Sequence, residues 1–315
     1  MAEPKIQLFI DKRDCCGCGA CVNACSKQAI SMKNDEFGFR FPAIDETKCV
    51  RCGKCKTVCA YQNPITGNKT IETYACATKN RKLLFSAASG GAFAQIATCY
   101  LEDGGVVYGA ALTDIGGLQT KHIRVSSVED LFCLLGSKYV QSDMDNVYQA
   151  VKQDLIDGKH VLFSGTPCQV ASVKKYLGKD YDNLILLDII CHGVPSQKFF
   201  SDFLQQLGKK QHGTISEFSF RNKSKGQGMT SAYKVKGKNG EREHICNGKV
   251  MSYFSLFLKS YTYRENCYSC PYAKSERMGD LTLGDFWGFH QEHPGVTILD
   301  NEKGISCVLV NTEKG

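Results

Sequence analysis

The sequence has no apolar run long enough to cross a bilayer. The best stretch in its 315 residues, Leu184 to Ile190, is short and carries Asp188, whereas a spanning helix needs about 20 apolar residues. No membrane span is expected. The opening MAEPKIQLFIDKRD has neither the apolar core nor the small-residue cleavage site of a secretory leader. Lys and Arg give a formal net charge of +7 but are scattered, with no basic block or basic helix face. This argues for a solvated surface with some pull on anionic cofactors or an acidic carrier, and against nucleic acid as partner. Eighteen cysteines are too few, in a chain this long, for a disulfide scaffold. Reduced thiols and a cytoplasmic location are therefore expected.

The cysteines are unevenly spent. Cys15, Cys18, Cys21 and Cys25 follow C-x2-C-x2-C-x3-C, and Cys49, Cys52, Cys55 and Cys59 repeat that spacing unchanged. Structural zinc uses separated C-x2-C pairs and has no reason for such runs. The spelling is that of bacterial two-cluster ferredoxins, in which the fourth cysteine reaches across to the other cluster. Resemblance to the ferredoxins implies that Cys15, Cys18, Cys21 and Cys59 hold one [4Fe-4S] cluster and Cys49, Cys52, Cys55 and Cys25 a second. Ser26 and Ala60 stand where ferredoxins usually place proline, which affects the turn more than the ligation.

The chain is too long for a ferredoxin alone, so two domains are expected: an α+β ferredoxin-like module over 1–66, a linker at 67–72 marked by Pro64, Gly67 and Asn68, and a mixed α/β domain over 73–315 with parts at about 73–155 and 156–315. Phe37, Phe39 and Phe41 alternate as a small strand between the cysteine runs. Beyond the linker, strands are expected at Thr73–Thr78, Gly105–Leu112, Thr120–Val125, His160–Ser164, Leu184–Ile190 and Ile305–Val310, and helices to about Leu101, at Ser127–Leu135, after Cys168, at Gln197–Leu207 and at Val250–Tyr261. A β-rich section occupies Thr214 to Cys246.

Cys168 and Cys191 each lie just past the carboxyl end of a strand that feeds a helix, the edge where open α/β sheets collect ligands. With the C-x2-C pair Cys267 and Cys270 they complete a set of four. Read from the residues, that set is a third [4Fe-4S] cluster, a structural zinc, or unrelated buried thiols. The turn Ser86–Phe93 opens a helix with Ser89, Gly90 and Gly91, which suits a phosphate or simply caps and packs the helix. Ser137, Lys138 and Tyr139 join polar, cationic and aromatic groups that could touch a flavin or pack an edge.

GTPCQVASVKKYL, DIICHGVPS, CYSCPYAKSERMGDLTLGDFWG and SAASGGAF together resemble the coenzyme F-420 (deazaflavin) hydrogenase/dehydrogenase beta-subunit family, with a ferredoxin module in front. That resemblance implies an α/β domain holding FAD, with Cys168, Cys191, Cys267 and Cys270 holding a [4Fe-4S] cluster beside it. It implies an oxidoreductase that passes electrons between the clusters and FAD, to or from a small redox substrate, with a ferredoxin-like or other electron donor. The substrate, the direction of flow and the oligomeric state are left open. Two rivals stand beside this reading: an electron-transfer subunit of a larger hydrogenase-type complex, and a ferredoxin head on a zinc-stabilised, non-enzymatic binding domain. Family members usually continue past this point, so the end at Thr312–Gly315, read as the cap of an unfinished helix, suggests a C-terminal truncation. Lys138, His192 and Asp285 are candidate acid/base groups. Cys16, Cys76, Cys99, Cys133, Cys246 and Cys307 share no ligand spacing and are expected in the core. His192 either tunes the third site or satisfies a turn.

Overall fold

The computed structural model describes residues 6–113, 118–300 and 302–315; Met1 to Lys5, part of the stretch read for a leader, lie outside them. In the N-terminal segment, helix α1 (Ala20–Ala24) and helix α2 (Lys54–Thr57) each start just before the third cysteine of their run, Cys21 and Cys55. Each is capped by a left-handed glycine, Gly19 at φ 80° and Gly53 at φ 74°. Strands β1 (Ile30–Asn34) and β2 (Arg40–Ile44) pair antiparallel between the two runs. The expected Phe37–Phe41 strand shifts forward: the Asp35 carboxylate accepts from the Phe37 and Phe39 amides, making those residues a turn, and only Phe41 enters β2.

The remaining chain runs β3 (Glu72–Cys76), α3 (Arg81–Ser86), α4 (Ala92–Glu102), β4 (Val106–Thr113), β5 (Gln119–Val125), α5 (Val147–Ile156), β6 (Val161–Gly165), α6 (Pro167–Leu177), β7 (Leu184–Ile189), α7 (Gln197–Lys210), β8 (Thr214–Ser219), β9 (Thr230–Gly237), β10 (Gly240–Asn247), α8 (Ser252–Leu258), β11 (Leu281–Asp285), α9 (Phe289–Glu292) and β12 (Ser306–Val310). Seven strands form one mixed sheet in the order β3-β12-β11-β7-β6-β4-β5. Its centre, β11-β7-β6-β4, is parallel, and β12, β3 and β5 add antiparallel edges. Strands β8 to β10 make a separate antiparallel sheet.

Both faces of the large sheet are covered, as the continuous apolar runs of β6 and β7 require. Val161, Phe163, Leu184 and Leu186 point to a core shared with α5 and α6, into which Ala20, Ala24, Val58 and Ala60 of the N-terminal segment also pack. Leu162, Ile185, Leu187 and Leu283 point the other way, against α4. The cysteine-rich segment is therefore seated on the α5/α6 face of the sheet. Helix α5 had no counterpart in the sequence reading: its buried Asp154 breaks the apolar stripe and is held by Arg124 at 2.7 Å and Lys159 at 2.9 Å. Ser127–Leu135 holds only a 3-10 turn, Asp130–Leu134, and the Val250–Tyr261 pattern contracts to α8.

Asp188 in β7 is fully buried. It accepts from Arg277 Nη2 (3.3 Å), the Met278 amide (3.0 Å), the Gly279 amide and the Thr282 hydroxyl. One carboxylate thus ties the loop following Cys270 to the strand that delivers Cys191.

Candidate functional site

The two cysteine runs fold alike because their backbones need the same left-handed turns. Gly17 and Arg51, the residues before the second cysteine of each run, have φ of 67° and 56°. The first loop lines a cavity with Cys15, Cys18, Cys21 and Cys59, closed by Leu8, Pro42, Ala60 and Tyr61. Burial raises the thiol pKa of Cys15, to about 11, and that of Cys21, and Cys18 and Cys59 add repulsion at both. Cys55 is raised by burial and then by Cys49 and Cys52, while Cys25 packs beside Cys55 against Leu8 and Ile30. Cys59 of the second run thus lies with the first run's three cysteines, and Cys25 of the first run lies beside Cys55.

Cys168 follows Pro167 in the first turn of α6, whose Thr166 cap exchanges hydrogen bonds with Gln169. Cys191 follows β7, and Cys267 and Cys270 come from the 3-10 turn Glu265–Ser269 and its exit. These distant segments bring the four sulfurs within mutual reach: burial raises Cys191 to about 12, and Cys168, Cys267 and Cys270 all act on it. Cys267 is likewise raised to about 12 by burial, then by Cys168. Four buried thiols cannot ionise together without a counter-cation. Among the described residues no three His, Cys, Asp or Glu side chains are drawn in to hold a metal ion. Four thiols are a donor set that a zinc ion, at about 2.3 Å from each sulfur, or a four-iron cube, one iron to each sulfur, would accept.

The two sulfur groups meet. Cys16, expected as a plain core residue, is buried, and its thiol pKa is held well above the usual range by the neighbouring Cys168 and Cys18 and by burial. Tyr61, two residues past Cys59, donates its hydroxyl to Cys270 Sγ at 3.7 Å and accepts from Asn266 at 2.6 Å. The junction is fastened around this contact. Tyr148 donates to Cys18 O (3.0 Å), Tyr272 to Ala60 O (2.5 Å), Asn23 to Asp145 O (2.8 Å), Gln141 to Cys16 O (2.8 Å) and Ser196 to Phe37 O (2.6 Å), and Arg40 pairs with Asp143. On the far side the four-cysteine group opens outward: Cys191, Ile189, Ile190, Tyr261 and Tyr268 are exposed, although the Cys191 sulfur faces its three partners.

The flavin candidates divide. Ser89 donates to Ile305 O at 2.7 Å, and a Cβ on Gly90 would lie 2.3 Å from Cys76 O and 2.6 Å from Ser306 N, so these residues press the start of α4 onto β3 and β12. Gly91 is the left-handed cap of α4. Ser137 is half-buried. Lys138 gives its ammonium to Cys133 O (3.1 Å) and Leu135 O (2.8 Å), and burial lowers its pKa to about 7. Tyr139 stacks among Phe220, Phe254 and Phe257. What unites the two segments is Arg221, which the sequence reading missed. Its guanidinium donates to Tyr139 Oη (3.2 Å), Ala88 O (3.2 Å) and Asp285 (3.0 Å) and lies over Trp287 at 5.2 Å. Lys223 donates to Leu84 O and Ser89 O, and burial lowers its pKa to about 8. Arg221 Nε is buried with no partner among the described residues. An orphaned cationic donor beside a second desolvated cation and an exposed indole fits an anionic aromatic ligand.

Of the acid/base candidates, Asp285 is spent on Arg221 and Gln227, and His192 packs edge-on against Phe257 (5.3 Å) and Tyr263 (5.4 Å). Cys99 and Cys133 are exposed rather than in the core; the Cys133 thiol donates to Asp130 O at 2.9 Å.

Duplicated thiol loops seated on a mixed α/β body define an iron–sulfur protein of the electron-transferring oxidoreductase class. Residues 14–63 match the 4Fe-4S dicluster domain, and residues 158–315, half of the chain, match the family described as the C terminus of the coenzyme F420 hydrogenase/dehydrogenase beta subunit. The chain belongs to that beta-subunit family, as the motifs implied. No curated protein matches it. Among solved structures, the xenon-derivatised F420-reducing [NiFe] hydrogenase complex from Methanosarcina barkeri is similar at 16% identity and a TM-score of 0.49, over 78% of this chain and 77% of that one. Among the described residues no helix is long and apolar enough to cross a membrane.

Proposed function

We propose that this chain is an iron–sulfur flavoprotein that carries electrons along one fixed line of three clusters, between an external donor and a flavin-bound small substrate. Cys49, Cys52, Cys55 and Cys25 would hold the outer cluster, Cys15, Cys18, Cys21 and Cys59 the middle one, and Cys168, Cys191, Cys267 and Cys270 the inner one. Each cluster would supply one-electron storage, and FAD the conversion between one- and two-electron chemistry. The observation that carries the reading is the contact between the two sulfur groups: Tyr61, two residues past Cys59, donates to Cys270 Sγ at 3.7 Å, with buried Cys16 beside Cys168 and Cys18.

The chain's own residues set the order. Cys52 is exposed, which makes the second loop the outer end. Tyr61 and Cys16 close the gap between middle and inner groups and keep water out of it. Arg221 and Lys223, with Ser89, Gly90, Gly91, Ser137, Lys138 and Tyr139 around them, would receive the flavin's phosphates at the carboxyl edge of β11. A second reading, in which the chain is the electron-transfer subunit of a larger complex, is favoured by the exposed apolar residues around Cys191.

Anaerobic purification followed by assay of iron, acid-labile sulfide, zinc and released flavin tests the proposal. Roughly twelve iron and one FAD per chain are expected from three four-iron clusters. Roughly eight iron with one zinc and no flavin would leave only the duplicated loops as a redox unit. Turnover of the isolated chain with an artificial donor separates the enzyme from the subunit.

A further inference from the structure

Arg264 is the largest fully buried side chain among the described residues. Its backbone belongs to the inner cysteine group: its N–H donates to Val194 O at 3.0 Å, and its carbonyl accepts from the Cys267 amide at 2.9 Å. Its side chain belongs to the other one. Nε donates to Cys15 O at 2.9 Å, Nη2 to Arg40 O at 2.9 Å and to Cys15 Sγ at 3.9 Å, and Nη1 to Gln141 Oε1 at 3.3 Å. The guanidinium plane covers Phe41 at 4.0 Å and Phe39 at 5.6 Å. The loop is shaped to admit it: a Cβ on Gly17 would lie 2.9 Å from Arg264 Cζ and Nη1.

None of these partners is a carboxylate. A guanidinium stays charged in any protein setting, and a buried charge left without an opposite one is strongly destabilising. Among the described residues, the thiol that its guanidinium reaches by hydrogen bond is Cys15 of the middle set, and its charge acts more remotely on Cys267 of the inner one. Resting on the cluster assignment proposed above, we infer that Arg264 is the counter-charge of the middle cluster and holds its reduction potential above the value the four thiolates alone would give. Thiolate ligation leaves such a cluster anionic, and one added electron raises that charge by one without a proton, since the guanidinium has none to exchange. A fixed cation therefore stabilises the reduced form more than the oxidised form. Arg264 is a positioning residue, acting through Cys15 and the charge it faces.

The experiment is a dithionite titration of the anaerobic full-length chain, followed by electron paramagnetic resonance, for the wild type, Arg264→Gln, Arg264→Lys and Gln141→Glu. Arg264→Gln should make one cluster at least tenfold harder to reduce, a 59 mV negative shift for a one-electron couple, with a smaller shift at the inner cluster, whose Cys267 the same charge reaches, and the outer signal unmoved. Arg264→Lys should restore most of that shift. Gln141→Glu keeps the arginine but sets a carboxylate against it, so it should move the same signal the same way even where Arg264→Gln does not fold. Full iron with an unmoved potential in Arg264→Gln and Gln141→Glu, or an Arg264→Lys shift as large as that of Arg264→Gln, overturns the inference. Wild-type protein with fewer than roughly eight irons instead defeats the cluster assignment itself.

Discussion

The molecule gathers sulfur in two ways. In the N-terminal segment three cysteines of each run sit on one tight loop, so local backbone geometry places them before any tertiary packing. The Cys168/Cys191/Cys267/Cys270 group is the opposite case, drawn from three segments up to about a hundred residues apart and dependent on β6, β7 and β11 being paired. The first arrangement is specified by spacing and survives distant damage; the second inherits every weakness of the sheet that carries it.

Cutting a ligand in each group sharpens that contrast most. Cys168→Ala should lose the inner group's four irons of roughly twelve and leave the loops loaded. Cys99→Ala, at an exposed thiol on α4, should lose none; iron and sulfide assay decides. Next in size is Asp188→Ala. Removing one partner from a buried ionic network costs about 3–5 kcal/mol, and the loop following Cys270 is what the network holds. Urea unfolding should show that loss, with inner iron released ahead of loop iron.

A smaller break comes from acid. His122 bonds Ser142 Oγ at 2.8 Å and Ser164 O at 3.0 Å, and Ser142 accepts from Gln169 at the start of α6. Burial, only partly offset by the Ser164 carbonyl, lowers its pKa to about 4. An unfolded histidine titrates near 6.5, so between pH about 6.5 and about 4 the unfolded chain takes up a proton that the folded chain refuses. Stability contributed by neutral His122 is complete above pH about 6.5 and falls by up to about 1.4 kcal/mol per unit below it. Unfolding at pH 7, 6 and 5 should give a shallower slope for His122→Gln than for the wild type. The smallest effect is expected of Tyr61→Phe, which removes one hydroxyl from the junction: about 1 kcal/mol of stability and slower transfer between inner and middle groups in flash photoreduction, with iron content unchanged.

How much could be read beforehand follows the same division. The duplicated loops were legible because ligand spacing is a local signal, while the crossing of their fourth cysteines was what the ferredoxin resemblance implied. The four-cysteine group was legible as candidates, through strand-to-helix junctions, but its alternatives needed topology. Cys16 was read as out of phase for a ligand and expected in the core, and nothing in the sequence placed it beside Cys168 and Cys18. Arg264 is a single cation among aromatic and polar neighbours and carries no periodic signal, whereas Arg221 and Lys223 alternate with Lys225 in FRNKSK, a hint that was not singled out. The available hint was Arg264 itself, a charge set directly after Tyr261-Thr262-Tyr263 and before a C-x2-C pair. Gly90 was read as a possible phosphate turn, whereas its closeness to Cys76 O and Ser306 N makes a bulky residue there disrupt the fold first. Lys223→Gln is the cleaner probe of flavin retention, with iron content as its control.

The junction hydrogen bonds of Tyr148, Tyr272, Asn23, Gln141 and Ser196 have a kinetic consequence. A carrier on a flexible tether must swing before it can deliver, and thickening the solvent slows it. Here the two halves are bolted through backbone carbonyls on both sides of the sulfur contact. Glycerol or sucrose should therefore slow the arrival of an external donor in proportion to viscosity, and leave the internal hop untouched.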